Sequence, residues 1–280
     1  MSFTFRTCCE QLHKWLITQN GRESSERWID LFVTPYVNCE TVQGRISNMA
    51  GRKLVRYLHN KMSWSHVRTA RGSRTVAPPS FCAKQDIDLN KQECEALLPV
   101  IIKPACGTNG KNTYPVCHTF SDVRQLLTTT KFHDGKLLIQ QYIRGTQLDP
   151  EASRPGADLR VFGLLWRNGK AFLCQNAIIK WYNSDRTNNG KHVLLSQVRV
   201  DQRMLQDKFN ALAASCTDLF ADKRAEAQWF SADVVVKDQN AEPFVIDVNP
   251  MSALGLVLTS QWADAEKASW LEVLSFVQKQ

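Results

Sequence analysis

The stretch WFSADVVVKDQNAEPFVIDVNP, residues 229–250, constrains the fold more than any other part of the chain. Two β-branched runs flank KDQNAEP, which reads as a turn, so the runs are expected to fold back on each other as an antiparallel hairpin. Each run carries an aspartate, Asp233 in the first and Asp247 in the second, and the fold-back brings them to neighbouring positions at one end of the hairpin. Side chains alternate along a strand, so Asn249 shares the face of Asp247 while Val248 points the other way. Two carboxylates this close repel unless a cation joins them. The oxygen set Asp233, Asp247 and Asn249 suits a hard cation such as Mg²⁺. Read alone, the end of the second run is also an ordinary strand followed by an Asn-Pro turn.

Upstream, ADLRVFGLLW and KAFLCQNAIIKWY are two long strand-like runs joined by RNG, whose Asn168-Gly169 is a hairpin signal. PVIIKP, VCHTF and KLLIQQYI read as three further strands, and SDVRQLL as a short helix between the last two. After a polar loop, SDRTNNGKH, the run from Arg203 to Phe220 places Met204, Leu205, Phe209, Leu212, Cys216 and Leu219 on one helical face. Ala263 to Val277 reads as a closing amphipathic helix. Residues 1–78 are expected to be largely helical, from the spacing of Leu12, Trp15 and Leu16 and again of Leu54, Tyr57 and Leu58. The Pro78-Pro79 pair marks a boundary. The class is α+β, divided as an N-terminal segment (1–78), a small subdomain (79–147) and a large subdomain (148–280).

Cationic residues collect where these strands end. Lys103 closes the first strand, and the following loop holds Gly107, Gly110 and Lys111. Glycines let backbone N–H groups approach phosphate oxygens while lysine adds a compact charge, although alone the loop is also an ordinary hairpin loop. Asp158 and Arg160 stand two apart on one strand face, either as an ion pair or with the guanidinium aimed at a transferring phosphoryl group. Lys180 ends the paired strand and Arg186 follows it in the loop. The segment Gln140-Gln141-Tyr142-Ile143 leaves a strand with amides and an aromatic, which can line a flat heterocycle as readily as a core.

Charge and cysteine content narrow the class of partner. A net charge of +8 and a pI near 9.1 favour an acidic one, whether a nucleotide, a phosphorylated or acidic substrate or a nucleic acid. The nine cysteines are scattered without metal spacing, which fits free thiols in a reducing, cytoplasmic setting. No apolar run reaches the roughly 18–20 residues a membrane span needs, and the N-terminus lacks the pattern of a secretory signal.

The order of these pieces resembles the ATP-grasp superfamily: a lysine-ended strand and glycine loop, then Q-Q-Y-I, then D-L-R on a long hairpin, then D followed by D-x-N. The resemblance spans about residue 50 to residue 257. It implies a nucleotide held between two α+β subdomains, with ATP and Mg²⁺ as cofactors. It also implies phosphate contacts from Lys53 (in RKLVRYL) and Lys103, and an adenine slot lined by Gln140 to Ile143. Asp158 would then lie near the nucleotide, Arg160 near the γ-phosphate or an acyl-phosphate, and the metal on Asp233, Asp247 and Asn249. The superfamily usually has glutamate where this chain has Asp247.

Within the superfamily, the D-L-R strand and the R-T-N-N-G loop are similar to the RimK-type amino-acid ligases and the tubulin tyrosine ligase-like enzymes. GRISNMAGRKLVRYL with the later PPSF resembles the second group. These imply a ligase that joins a carboxylate to an amine through an acyl-phosphate on an amino acid or acidic peptide. Inositol-phosphate kinases of the same superfamily share the V-I-D-x-N ending and a basic pocket but normally lack the D-L-R strand. A nucleic-acid binder using RTARGSR is a further reading, disfavoured because no known reader motif appears and acids interleave with the basic residues. A non-catalytic scaffold is disfavoured because all three metal-ligand positions carry oxygen ligands.

Overall fold

The computed structural model describes Thr18 and residues 53–70, 74–84, 89–106, 115–129, 136–145, 148, 158–182, 188–220, 227–237, 241–250 and 263–278. Two antiparallel sheets organise them. The small one has strand order β1-β3-β2, from Ser80–Lys84 (β1), Val100–Pro104 (β2) and Lys136–Gln141 (β3). The large one has order β6-β5-β4-β7-β8, from Asp158–Trp166 (β4), Ala171–Tyr182 (β5), Asn188–Leu194 (β6), Ala227–Lys237 (β7) and Glu242–Asn249 (β8). Helices Lys53–His59 (α1), Lys61–Trp64 (α2), Lys91–Leu97 (α3), Phe120–Thr129 (α4), Gln202–Ser215 (α5) and Ala263–Gln278 (α6) complete the set.

The hairpins form where the turns predicted them. Gly169 adopts φ +80, Asn168 Oδ1 accepts from Lys170 N and Trp166 N donates to Lys170 O, so the three-residue loop Arg167-Asn168-Gly169 joins β4 to β5. Asp233 pairs directly with Asp247, and Ser231 with Asn249. Beyond that pair the register slips so that Val234 faces Val245, which leaves Ile246 as the bulged residue.

Two readings of the sequence are corrected. VCHTF is not a strand: Cys117 makes one isolated bridge with Val100, and α4 already begins at Phe120. The polar run SDRTNNGKH is not all loop, because Asn188 to His192 belong to edge strand β6, paired along β5. A strand with only one neighbour tolerates polar residues that a hydrophobic pattern would reject. Strand β1 and helix α3 had no strong period to announce them. The helical spacing around Leu12, Trp15 and Leu16 lies outside the described residues, as do Gly107, Gly110, Lys111 and Arg186.

Each sheet buries one face against helices. In the small sheet, Val100, Ile102, Leu137 and Ile139 pack with Cys94 of α3 and with Val123 and Leu127 of α4. In the large sheet, Leu159, Val161, Ala177, Ile179, Ala232 and Val234 pack with Leu205, Phe209 and Leu212 of α5. Leu54 and Leu58 of α1, Trp64 of α2, and Val76 and Ala77 belong to this same core. The described residues between Leu54 and Ala77 therefore help to close the large sheet. Among the described residues no helix is long and apolar enough to cross a membrane.

The opposite face of the large sheet is divided along its length. One end is apolar, with Phe162 stacked on Trp229 and Trp229 on Trp270 of α6. The other end is charged. The register of β4 and β5 shifts between Val161 and Gly163, and Glu272 of α6 takes the exposed amides of Gln175 (2.5 Å) and Asn176 (3.0 Å) there. At this irregularity a Cβ added to Gly163 would fall on the carbonyl oxygen of Phe172. Gly163→Ala is therefore expected to destabilise the protein by about 1–3 kcal/mol, as overpacking does. A urea midpoint within error of wild type would show that the backbone there yields freely.

Candidate active site at the meeting of the two sheets

The charged end of the large sheet is built around Asp233. Arg160, opposite it on β4, donates from Nε to Oδ1 at 2.8 Å and from Nη2 to Oδ2 at 3.0 Å. Lys180 donates to Oδ2 at 2.6 Å. Alternation explains the arrangement: Lys180 pairs with Asp158, and Asp158, Arg160, Lys180 and Asp233 share one face. Lys180 is 2% exposed, so its stem fills the sheet interior while its ammonium meets the carboxylate.

The second carboxylate has its own cation. Lys61 Nζ lies 3.0 Å from Asp247 Oδ1 and is almost as buried as Lys180. Asn60 Oδ1 caps α2 by accepting from Met62 N, and Lys61 N donates to Ala105 O at the end of β2. Lys103, also buried, donates from Nζ to Ile246 O at 2.8 Å, the carbonyl of the bulged residue. The small sheet and α2 thus each send a lysine across to β8.

The charges act on one another. Burial alone would raise the Asp233 carboxyl, but Arg160 and Lys180 outweigh it and hold the group well below the usual carboxylate range. Burial pushes Asp158 up to about 6, with Lys180 pulling back and Asp233 adding to the rise. Burial, then the like charge of Lys61, lowers Lys103 to about 8. His59, next to this group, is lowered by burial and by Lys61. Among the described residues, Lys61, Lys103, Arg160 and Lys180 thus gather around Asp158, Asp233 and Asp247.

The structure gathers Lys103, Asp158, Arg160, Lys180, Asp233 and Asp247, with Asn249 on the same face of β8. Lys53 sits apart at the exposed start of α1, and the sequence reading missed Lys61, whose ammonium reaches the cluster. Its signal was the Asn60 cap that starts a new helix immediately before it. Gln140 is buried and shares the Lys103 face of the small sheet, whereas Gln141 points to the other face. The amides of Gln141 and Tyr142 already donate to Pro79 O and Pro99 O. Tyr142 and Ile143 can therefore contact a heterocycle through their side chains.

The carboxylate and amide oxygens of Asp233, Asp247 and Asn249 have the donor chemistry of a Mg²⁺ site. Both Asp233 oxygens already accept from side-chain cations, and Asp247 Oδ1 pairs with Lys61. Among the described residues no three His, Cys, Asp or Glu side chains are grouped to hold an ion by themselves. The set fits a divalent ion whose remaining ligands arrive with an anionic partner.

No protein-family model and no curated protein matches the sequence. Among solved structures, the chain is similar to the D-alanine–D-alanine ligase of Bacillus anthracis, with a TM-score of 0.52 at 16% identity over 85% of this chain and 76% of that one. It is similar also to the D-alanine–D-alanine ligase of Coxiella burnetii, with a TM-score of 0.50 at 14% identity over 90% of this chain. It spans 60% of the length of that second enzyme. Both neighbours are ATP-grasp enzymes, and this chain has the ATP-grasp fold.

Two charge variants test the cluster. Asp233→Ala leaves Arg160 and Lys180 buried without their carboxylate and is expected to cost about 3–5 kcal/mol. The folded-state pKa of Asp233 is depressed, so its contribution is present above the unfolded value of about 3.9 and fades as pH falls below it. Asp158 has the opposite sign: its contribution is complete below about pH 4 and is lost as pH rises through about 6. Asp158→Asn should therefore gain stability relative to wild type at pH 7 and none at pH 4. Urea titrations of both variants across this range check the signs, and a pH-independent difference for either would contradict the burial described.

Proposed function

We propose that the chain is an ATP-dependent ligase that joins a carboxylate to an amine through an acyl-phosphate, acting on an amino acid or an acidic peptide. The observation that carries this reading is the cluster of Lys61, Lys103, Arg160 and Lys180 around Asp233 and Asp247, at the junction of the two sheets of an ATP-grasp fold. Solved structures of similar fold include those of D-alanine–D-alanine ligases, which supports this reaction class.

In this reading Lys61 and Lys103 would contact the nucleotide phosphates. With the loop bearing Gly107, Gly110 and Lys111, they would hold the phosphates over the large sheet. Gln140, Tyr142 and Ile143 would line the adenine side. Asp247, Asn249 and Asp233 would hold Mg²⁺, whose chemistry is to neutralise charge on phosphate oxygens. Arg160, gripped by Asp233, would face the transferring phosphoryl, with Lys180 also holding that carboxylate and Arg186 following in sequence.

The substrate carboxylate oxygen attacks the γ-phosphorus and ADP leaves. The amine nitrogen then attacks the acyl carbon, the C–O bond to phosphate breaks, and orthophosphate leaves with the electron pair while the nitrogen loses its proton. Positioning and fixed positive charge would supply most of the acceleration, because an acyl-phosphate is already reactive. The net charge of +8 suits an acidic substrate. The free thiols Cys94, Cys117, Cys174 and Cys216 suit a cytoplasmic location.

The test measures ADP and orthophosphate from ATP and Mg²⁺ against pools of amino acids, acidic peptides and inositol phosphates, with Asp247→Asn as control. Both products are expected only when a carboxylate and an amine are present, and the variant should lose them. ADP without orthophosphate in the inositol-phosphate pool would make the protein a kinase. Mg·ATP at a hundred times its Kd adds about 2.7 kcal/mol of stability. No rise in Tm with millimolar Mg·ATP would defeat both readings.

A further inference from the structure

Helix α6 has a direction that bears on the site. Its C-terminal end meets β4 and β5 through Phe276, which packs on Trp166 and Phe172. Its middle meets β7 through the Trp270–Trp229 stack, 4.4 Å between centroids. Trp166 pairs with Ala227, Leu164 with Trp229, and Arg160 with Asp233. The N-terminal turn of α6 therefore points along the sheet face toward Arg160 and Asp233. Ser269 Oγ, donating to Asn176 O of β5 at 3.4 Å, and Glu272 on the amides of Gln175 and Asn176 fix the helix in that position.

One turn before Trp270 on this face stands Glu266. It is 2% exposed, and among the described residues neither carboxylate oxygen has a hydrogen-bond partner. Arg160 is the charge that acts on it, and burial outweighs that attraction and pushes the carboxyl up to about 8. Ser231, on the site face of β7 between Trp229 and Asp233, is 1% exposed, and its Oγ likewise lacks a partner among the described residues. A buried carboxylate without donors costs stability, and an apolar side chain would suit a helix seated on Trp229 better. Nothing among the described residues accounts for a carboxylate at Glu266, which leaves it available to a ligand.

The chemistry of the two groups selects a ligand. The two carboxylate oxygens accept, and the Ser231 hydroxyl can accept as well as donate; a primary ammonium, with three donors, meets all three and favours the ionised carboxylate, whereas an anion would oppose it. One carboxylate and one hydroxyl are too few oxygens for Mg²⁺. We propose that Glu266, assisted by Ser231, binds the amino group of the amine substrate, an amino acid or the amino end of a peptide, beside Arg160. The inference rests on the ligase reading, in which Arg160 faces the acyl-phosphate that this amine attacks.

The experiment uses the full chain with ATP, Mg²⁺ and the carboxylate identified by ADP release. Two nucleophiles are compared: hydroxylamine, uncharged at neutral pH, and the set of free amino acids. Glu266→Gln should form hydroxamate at the wild-type rate, because carboxylate activation does not involve Glu266. Its KM for the amino acid should rise about tenfold or more, the scale expected for losing a charge-assisted contact. Ser231→Ala should show a smaller rise in the same constant. The free-protein Tm of Glu266→Gln and Glu266→Leu should equal or exceed wild type, since no partner among the described residues is lost. An unchanged amino-acid KM, or a fall of several degrees in Tm or failure to fold in both variants, would overturn the assignment and make Glu266 structural. Wild-type turnover that no amine stimulates would remove the ligase reading and this inference with it. Amine-dependent turnover shared equally by wild type and Glu266→Gln would remove this inference alone.

Discussion

The carboxylate of Asp233, buried on the central strand pair of the large sheet and held by Arg160 and Lys180, is the interaction on which the rest of the site depends. A carboxylate in such a place is tolerated only when cations meet it. Two cations at bonding distance across β4 and β5 satisfy that need, and they fix the orientation of three neighbouring strands at once. The same demand explains why one face of the sheet changes character along its length. Where Asp233 and its partners stand, no helix can seat an apolar face. Four residues away, at Trp229, α6 can and does.

How much of this was legible in the sequence follows from the period of each element. The long hairpins were legible because alternation and turn chemistry agree. Asn168-Gly169 turned the chain, and the spacing of Asp233 and Asp247 about 237–243 placed them opposite one another. The ATP-grasp order was legible because it depends on those same hairpins. Lys61 was hidden because a four-residue helix has no hydrophobic period, so only the capping asparagine marks it. Strand β6 was hidden by its polarity, which an edge permits. VCHTF looked like a strand because composition cannot tell one bridge from a ladder. Glu266 did carry a sequence signal, a glutamate among Ala265, Ser269, Trp270 and Val273 on the buried stripe of a helix. An acid there contradicts the packing pattern, and local contradictions of this kind collect at sites that serve a ligand.

The bulge at Ile246 joins fold to chemistry. A regular ladder would have kept pairing past Asp247, whereas the slip leaves the Ile246 carbonyl for Lys103 of the small sheet. Lys61 reaches Asp247, the next residue, while its own amide is held by Ala105 just past β2. The two sheets are thus joined by polar contacts to consecutive residues of β8, at the point where the metal-ligand candidates stand.

These contacts leave Lys103 in an unfavourable state for a cation. Burial and the neighbouring Lys61 lower it to about 8, so its proton is held less tightly than that of a lysine in water. The cost is borne by the protein without its ligand, and it has the opposite sign to the stabilisation that Asp233 receives. An anion placed between the sheets would reverse it, because negative charge near Lys103 favours the protonated form and screens it from Lys61. Glu266 is the counterpart at the other edge of the same cluster, an acid lifted by burial that a cation would lower again. The site is therefore strained in two opposite electrostatic senses along one sheet face. A bound anion and a bound cation side by side would relieve both, an arrangement that two reacting substrates of opposite charge provide.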